Sequence, residues 1–204
     1  MNDKPKYNSQ IHHRRSIRLK GYDYSQAGLY FVTICTQDRI FRFGNIVNGE
    51  MFLNEFGQIA HNEWLKLPER FPNVEYDVFQ IMPNHVHGII LLVDVGAGFT
   101  PAQNGDANIN KNGQPQNVQP QNVQLQNVQP QGIAPTVGDI VGAYKSLVFN
   151  GCLEIYKSKN NIMGKLWQRN YYEHIIRDDQ SYQTISNYII NNPAKWAADK
   201  FYSK

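Results

Sequence analysis

The hydrophobic and polar positions of the chain change their spacing from segment to segment, and each spacing predicts a particular element. Apolar, β-branched and aromatic residues fill residues 29–36, which predicts a buried strand. Residues 53–67 carry apolar side chains at helical spacing, and Pro68 is expected to close that helix. Residues 74–81 alternate as a strand does, and the apolar run at residues 85–93 predicts another strand.

The remaining elements follow from turn residues and from helical periodicity. Asn48-Gly49 lies in the middle of residues 41–52, and this dipeptide is typical of a tight β-hairpin turn. The second half of the chain predicts the order helix, strand, helix. The helices are residues 137–156 and 180–191, and the strand is residues 166–176. Residues 194–201 would form a further helix if Asn192 and Pro193 begin one.

Residues 96–135 interrupt this pattern. They are rich in Gln, Asn, Pro and Gly, contain a five-residue repeat, and carry only one aromatic residue and two charges, so they cannot build a core. We expect a disordered insertion there. Since neither flank has enough strands for its own sheet, we predict one α+β domain over residues 25–204, with helices packed on one antiparallel sheet.

Composition narrows the class of protein. A chain of 204 residues is long enough to bury a core, and no apolar run approaches the roughly 20 residues of a bilayer span, so we expect no membrane association. The only cysteines, Cys35 and Cys152, form neither a disulfide framework nor a metal-binding spacing, which favours a cytoplasmic location.

Positive charge is concentrated at the start of the chain. We predict that residues 1–24 form a basic N-terminal arm, because its first 20 residues contain six basic residues and one acidic residue, Asp3. Four of the basic residues are candidate phosphate contacts for nucleic acid. These four are Arg14, Arg15, Arg18 and Lys20. A solvated tail with no binding role is the alternative reading of this arm.

Two histidines at the start of the strand 85–93 form a candidate metal site. Residues two apart in a strand project from the same face, so His85 and His87 point together. Two imidazoles with a third ligand from an amide or carboxylate oxygen suit Mn or Mg, and Zn also fits. A hydrogen-bonded histidine pair with no metal role is an alternative that the spacing leaves open.

A tyrosine and an asparagine on the helix 180–191 are candidates to join this site. Tyr188 and Asn192 are four residues apart, so the phenol and the amide share one helical face. Asn192 could instead cap a following helix, because Pro193 is typical of a first helical position. Tyr188 could simply pack, as most tyrosines of amphipathic helices do.

Four motifs, taken together, resemble those of one family. They are Arg14-Arg15-Ser-Ile-Arg-Leu-Lys-Gly-Tyr-Asp-Tyr24, Met82-Pro-Asn-His-Val-His-Gly88, Trp167-Gln-Arg-Asn-Tyr-Tyr-Glu-His174 and Tyr188-Ile-Ile-Asn-Asn-Pro193. This set, in this order, is similar to that of the REP-associated tyrosine transposases. These belong to the insertion-sequence-200-like group of HUH single-strand transposases.

The resemblance implies a ferredoxin-like HUH endonuclease fold, with helices mainly on one face of the sheet. It implies that His85, His87 and Asn192 bind a divalent metal, Mg or Mn, and that Tyr188 is the nucleophile. Tyr171 and Tyr172, in the third motif, are candidates to stack on DNA bases or to fill the core.

The function expected from this resemblance is cleavage and rejoining of single-stranded DNA next to hairpins, through a 5′-phosphotyrosine intermediate. The expected partner is single-stranded or hairpin DNA, and the chain would act as a monomer or a homodimer. Two alternatives stay open. One is a hairpin DNA-binding protein that does not cleave, and the other is a metal-dependent phosphodiesterase that activates water.

Overall fold

The computed structural model describes residue 19 and residues 21–94 and 134–202. Within these ranges the chain forms six strands and four α-helices. The strands are β1 (Gly28–Cys35), β2 (Gly44–Val47), β3 (Glu50–Leu53), β4 (Val74–Met82), β5 (His85–Leu92) and β6 (Tyr172–Ile176). The helices are α1 (Glu55–Leu65), α2 (Leu67–Arg70), α3 (Val137–Ser158) and α4 (Asp179–Asn191), with two short 3-10 helices at Gln37–Arg39 and Trp196–Ala198.

Four of the strands form an antiparallel sheet in the order β4-β5-β1-β6. Counted along the chain, its strands follow the βαββαβ order, and the sheet reads 4-1-3-2 from the β6 edge, which is the ferredoxin-like arrangement. The α+β fold predicted from the sequence is therefore confirmed. The central strands β1 and β5 pair so that Cys35 lies opposite His85 and Thr33 lies opposite His87.

The central strands are apolar on both sides because both faces of the sheet are covered. On one face, α1 and α3 enclose the main core, which includes Trp64 and Tyr144. On the other face, α4 contributes Ile189 to a smaller cluster with Phe31 and Ile89. Two long helices thus share one face, and the helix that carries Tyr188 lies on the other.

The two halves of the sequence meet in this sheet. Strand β1 pairs with β5, which precedes residues 96–135, and with β6, which follows them. Strand β5 ends at Leu92, and α3 begins after the Thr136 cap, whose hydroxyl accepts the backbone N–H of Asp139 at 3.2 Å. The predicted insertion itself lies almost wholly outside the described residues.

The hairpin of β2 and β3 turns at the predicted dipeptide. Asn48 and Gly49 have φ values of 52° and 80°, the left-handed values that a type I′ turn requires at both central positions. The turn packs beside the chain that leaves α4, because a Cβ at Gly49 would lie 3.3 Å from the Cα of Ala194.

Three sequence-based boundaries were wrong. The predicted strand 166–176 is extended only over Tyr172–Ile176, with a single bridge from Trp167 to Thr36, because the carbonyls of Gln168 and Arg169 accept hydrogen bonds from the Lys145 ammonium instead. Pro68 closes no helix but lies in the first turn of α2.

The third error concerns the predicted helix 194–201, which is only a 3-10 turn at Trp196–Ala198. The aromatic rings of this segment explain the difference. Trp196 and Tyr202 both pack on Phe41, while Phe201 packs on His85. A straight α-helix would spread these positions around its circumference, so the chain leaves helical geometry to make all three contacts.

Gly88 is the residue that lets the indole of Trp64 lie against β5. A Cβ at position 88 would lie 2.2 Å from Cζ2 of Trp64, and the Trp64 side chain is fully buried. The last residue of the Met-Pro-Asn-His-Val-His-Gly motif therefore has a packing role, on the sheet face opposite the two histidine rings.

We expect Gly88→Ala to lower the free energy of unfolding by about 1–3 kcal/mol, because the added methyl group overpacks a filled core. The measurement is urea denaturation followed by circular dichroism. Gly142→Ala is the matched control, since Gly142 lies on α3 with no atom within 4 Å of the added methyl group. It should be neutral or stabilising. Equal stability of Gly88→Ala and the unchanged protein would contradict this account of the motif.

Candidate functional site

His85 and His87 lie side by side at the start of β5, as predicted. Both side chains are fully buried, and their ring centroids are 4.3 Å apart. They face α4, on the side of the sheet that also carries Phe31, whose ring lies 5.4 Å from that of His87. A central strand holds the pair, so their positions are fixed by hydrogen bonding on both sides of β5.

The residue before the pair fixes the tautomer of His85. The Asn84 amide nitrogen donates to two backbone carbonyls, those of Arg39 at 3.1 Å and Phe201 at 2.8 Å. Its oxygen must then face Nδ1 of His85, 2.8 Å away, so Nδ1 carries the proton. Nε2 of His85 is left as a bare lone pair that is buried without a hydrogen-bond partner among the described residues.

His87 is held from the neighbouring strand. Its Nδ1 lies 2.8 Å from the hydroxyl oxygen of Thr33, the residue opposite it on β1. Its Nε2 lies 3.1 Å from the phenolic oxygen of Tyr188. Each histidine therefore has one nitrogen bound to the protein scaffold and the other turned toward a common space, which is how outer hydrogen bonds orient metal-binding imidazoles.

Burial keeps both imidazoles neutral. It lowers the pKa of His85 from its ordinary 6.5 to about 3, and it lowers the pKa of His87 well below 6.5, with the neighbouring His85 acting in the same direction. The neutral ring is the form that binds a metal ion, so the site is ready for a ligand role at neutral pH.

Asp199 joins the histidines, although no sequence motif predicted it. Ligand atoms of His85, His87 and Asp199 all lie within 4.8 Å of one another, so these three residues could hold a metal ion. The Asp199 carboxylate also accepts hydrogen bonds from the Asn192 amide at 2.7 Å and from the Tyr188 hydroxyl at 3.2 Å. The only available signal was an acidic residue close behind the Tyr188–Asn192 helix.

Asn192 belongs to the same cluster and does not cap a following helix. It is the C-cap residue of α4, with helical φ and ψ of −59° and −43°, and the next helical turn is capped by Lys195, so the N-cap alternative was wrong. The side chain is 2% exposed, and its carboxamide oxygen is buried without a hydrogen-bond partner among the described residues. An oxygen in that state is suited to accept a hydrogen bond or to bind a cation.

Tyr188 reaches the site from α4, one turn before Asn192. The residue is 37% exposed, and its ring packs edge-on against Phe31 and His87. Burial, and then the negative charge of Asp199, raise the pKa of the phenol above its ordinary value of 10. The free phenol is therefore protonated at neutral pH.

The end of the described chain forms another wall of the site. The ring of Phe201 lies 4.6 Å from that of His85 and 5.7 Å from that of His87, and Trp196 lies 5.9 Å from His85. The guanidinium of Arg39 lies 5.3 Å from the centre of the Phe201 ring. These aromatic rings exclude water around the imidazoles, which is the cause of their lowered pKa values.

The predicted DNA contacts divide into three groups. Arg14, Arg15, Arg18 and Lys20 lie outside the described residues. Tyr171 packs against the main core, as the packing alternative expected. Tyr172 is 41% exposed on the same face as the site, with its ring 6.1 Å from that of Phe31 and with the Lys200 ammonium 5.9 Å above it.

Among the helices of residues 21–94 and 134–202, none is both long enough and apolar enough to cross a membrane.

The chain has a curated relative of nearly its full length. An uncharacterized protein of Haemophilus influenzae (strain ATCC 51907 / DSM 11121 / KW20 / Rd) is 41% identical over 199 residues, which is 97% of each protein. The chain therefore belongs to the same family as that protein. No family model matches the sequence.

The fold has a counterpart among solved structures. The structure of a REP-associated tyrosine transposase bound to a REP hairpin matches 90% of this chain and 77% of the other, with a TM-score of 0.52 and 17% sequence identity. At this identity the likeness shows a common α+β fold.

Metal binding should depend on the hydrogen bond from His85 to Asn84. We expect His85→Ala to abolish Mn²⁺ binding in isothermal titration calorimetry, and Asn84→Ala to weaken it about 10–100-fold, the usual effect of losing an outer partner of a metal-bound histidine. Asn45→Ala, an exposed asparagine on β2, is the control and should bind as the unchanged protein does. Mn²⁺ affinity that is equal in all four proteins would rule out a metal site at these histidines.

The metal-free protein should lose stability as the pH falls below about 6.5. The folded protein holds His85 and His87 neutral, whereas the unfolded chain protonates them near pH 6.5, so the unfolded state binds more protons below that pH. Chemical denaturation in EDTA between pH 7.5 and 5 measures this slope. His87→Gln should reduce it, while His174→Gln, at an exposed position of β6, should not. An equal slope in the His87→Gln protein would show that His87 is not the cause.

Proposed function

We propose that this protein is a metal-dependent transposase of single-stranded DNA, which cleaves and rejoins the strand next to a hairpin through a 5′-phosphotyrosine on Tyr188. One observation carries the proposal. The hydroxyl of a half-exposed tyrosine lies 3.1 Å from a buried imidazole nitrogen, in a cluster whose other polar atoms include two that have no hydrogen-bond partner in the part of the chain that the structure describes. A phenol beside a cation site is the arrangement that tyrosine attack on a phosphodiester requires.

The residues present fit a divalent cation. Nε2 of His85 and the carboxamide oxygen of Asn192 are both buried polar atoms without hydrogen-bond partners among the described residues. We assign the third ligand to Asn192, together with His85 and His87, because its oxygen has no hydrogen-bond partner among the described residues, whereas each oxygen of Asp199 has at least one. Mg or Mn suits two imidazoles and an oxygen, and when bound it would polarise the scissile phosphate.

Asp199 then has two tasks in the proposed mechanism. Its carboxylate holds the Asn192 amide nitrogen, which turns the amide oxygen away from Asp199. The same carboxylate lies 3.2 Å from the Tyr188 hydroxyl and can take its proton. A proton acceptor is needed because burial and the Asp199 charge raise the pKa of this phenol, so little phenolate exists before the reaction.

The chemical step requires no nucleotide cofactor. The Tyr188 oxygen bonds to phosphorus, the bond from phosphorus to the 3′ oxygen breaks, and the proton taken by Asp199 is delivered to that oxygen. The products are a 5′-phosphotyrosine and a free 3′-OH. Attack of a 3′-OH from another strand end reverses these events and restores the tyrosine, which gives strand transfer.

Hairpin DNA is the proposed substrate. The structural neighbour is bound to a REP hairpin, and its fold is shared by this chain. On the site face, the exposed Tyr172 ring offers a stacking surface, and the Lys200 ammonium beside it can bind a phosphate. We propose that the basic residues Arg14, Arg15, Arg18 and Lys20 add phosphate contacts from the N-terminal arm.

Tyr188→Phe should abolish a covalent protein–DNA adduct without preventing DNA binding. The assay uses a library of single-stranded hairpins with randomised flanks, Mn²⁺, and separate 5′ and 3′ labels, followed by denaturing gels. A 5′-phosphotyrosine retains the 3′ label on the protein and releases the 5′ label on a fragment ending in a 3′-OH. Tyr76→Phe is the matched control, because Tyr76 is also 37% exposed and lies on β4 at the level of Ile90.

Each other outcome of this assay favours a different function. Cleavage without an adduct in the unchanged protein indicates a phosphodiesterase that activates water. Binding without cleavage indicates a hairpin DNA-binding protein. An adduct that persists in Tyr188→Phe shows that another residue is the nucleophile, and an adduct that persists in EDTA shows that the metal is not required.

A further inference from the structure

A cleft runs along the exposed side of α4, and Tyr188 is one of the residues that line it. It has a volume of about 610 Å³, within the range of small-molecule sites, and it opens to solvent. One wall is α4 itself and the turn that follows it. The opposite wall is the segment Ala198–Lys200, which also carries Asp199.

The α4 wall is a continuous polar stripe. Thr184, Asn187, Tyr188 and Asn191 recur at the three- and four-residue spacing of one helical face, and all four are exposed. At 1.5 Å per residue, the distance along the axis from Thr184 to Asn191 is about 10 Å. Apart from the Tyr188 ring, which packs on Phe31 and His87, the side chains of this stripe point away from the apolar face of α4.

The side chains of the stripe are suited to a base and a phosphate. The Asn191 amide nitrogen donates to the Asn187 backbone carbonyl at 2.7 Å, which fixes the orientation of the group and leaves its oxygen and one N–H available. Asn187 presents a second carboxamide one turn earlier. Lys195 and Lys200, both exposed, place ammonium groups at the cleft.

We propose that this cleft binds one of the two nucleotides joined by the scissile phosphate, with Asn187 and Asn191 hydrogen-bonded to the base edge and Lys195 bound to a phosphate. The proposal rests on the proposed function, because it takes Tyr188 as the nucleophile. The same helical stripe would then hold the nucleophile and select the sequence that it cuts. The lining combines apolar surface with carboxamide and lysine side chains, which suits a nucleotide, since a nucleotide carries an apolar base face, polar base edges and a phosphate.

The test sequences the DNA that becomes attached to the protein. Hairpins with randomised single-stranded flanks are incubated with Mn²⁺, the covalent adducts are isolated, and base frequencies are read on both sides of the cut. We expect the unchanged protein to prefer particular bases at a position adjoining the cut. Asn191→Ala should reduce that preference roughly tenfold or more, and Asn187→Ala should reduce it at the same position.

Gln183→Ala is the matched control, because Gln183 is an exposed carboxamide on the same helix that does not line the cleft. It should leave the base preference unchanged. A preference at the cut that is the same in Asn187→Ala, Asn191→Ala and Gln183→Ala would overturn the proposal, and so would the absence of any preference in the unchanged protein.

A second measurement separates failure of this proposal from failure of the proposed function. The Tyr188→Phe protein is photocrosslinked to the same library carrying 4-thiothymine in the flanks, and the attached peptides are identified by mass spectrometry. Crosslinks within residues 184–195 support the cleft even if no adduct forms on Tyr188. Crosslinks confined to other segments would refute it even if the adduct does form.

Discussion

The site depends on the burial of two neutral imidazoles next to each other. Removing His85 and His87 from water lowers the pKa of both rings, so neither carries the charge that would repel the other or a cation. Their scaffold nitrogens are occupied by Asn84 and Thr33, which leaves the other nitrogens directed at one space. The aromatic wall of Phe201 and Trp196 sustains this condition by excluding solvent.

Rigidity around the pair comes from both sides of the sheet. On the far face, the Trp64 indole packs against Gly88, one position beyond His87, so closely that an added Cβ would lie 2.2 Å from it. On the near face, Ile189 of α4 anchors the helix to Phe31 and Ile89. Tyr188 precedes this anchor by one residue, so packing in the small cluster determines how far the phenol stands from the imidazoles.

Much of this arrangement could be predicted from local sequence pattern. The same-face placement of His85 and His87 follows from strand geometry, and the convergence of Tyr188 and Asn192 follows from helical spacing. Only the resemblance to a known family predicted that the histidine pair and the Tyr188–Asn192 pair lie in one site, because no local pattern brings α4 to β5. The strand and helix order followed from periodicity, and the ferredoxin-like strand order is the outcome expected from that resemblance.

What could not be predicted depends on contacts between distant segments. Asp199 enters the cluster because the chain after Asn192 folds back over the histidines, and that path is set by the packing of Trp196, Phe201 and Tyr202. The same packing made the predicted helix 194–201 wrong. The role of Asn84 in orienting His85 could not be predicted either, since the orientation of the Asn84 amide depends on the carbonyls of Arg39 and Phe201.

The two ends of β5 lie at different distances from the candidate site. His85 stands at its first residue and Leu92 at its last, about 24 Å away for a strand of this length. The connection from β5 to α3 therefore begins at the strand end that is far from the candidate site, and α3 begins at Val137. A change in the length of this connection, repeats included, should therefore leave the histidines and Tyr188 where they are.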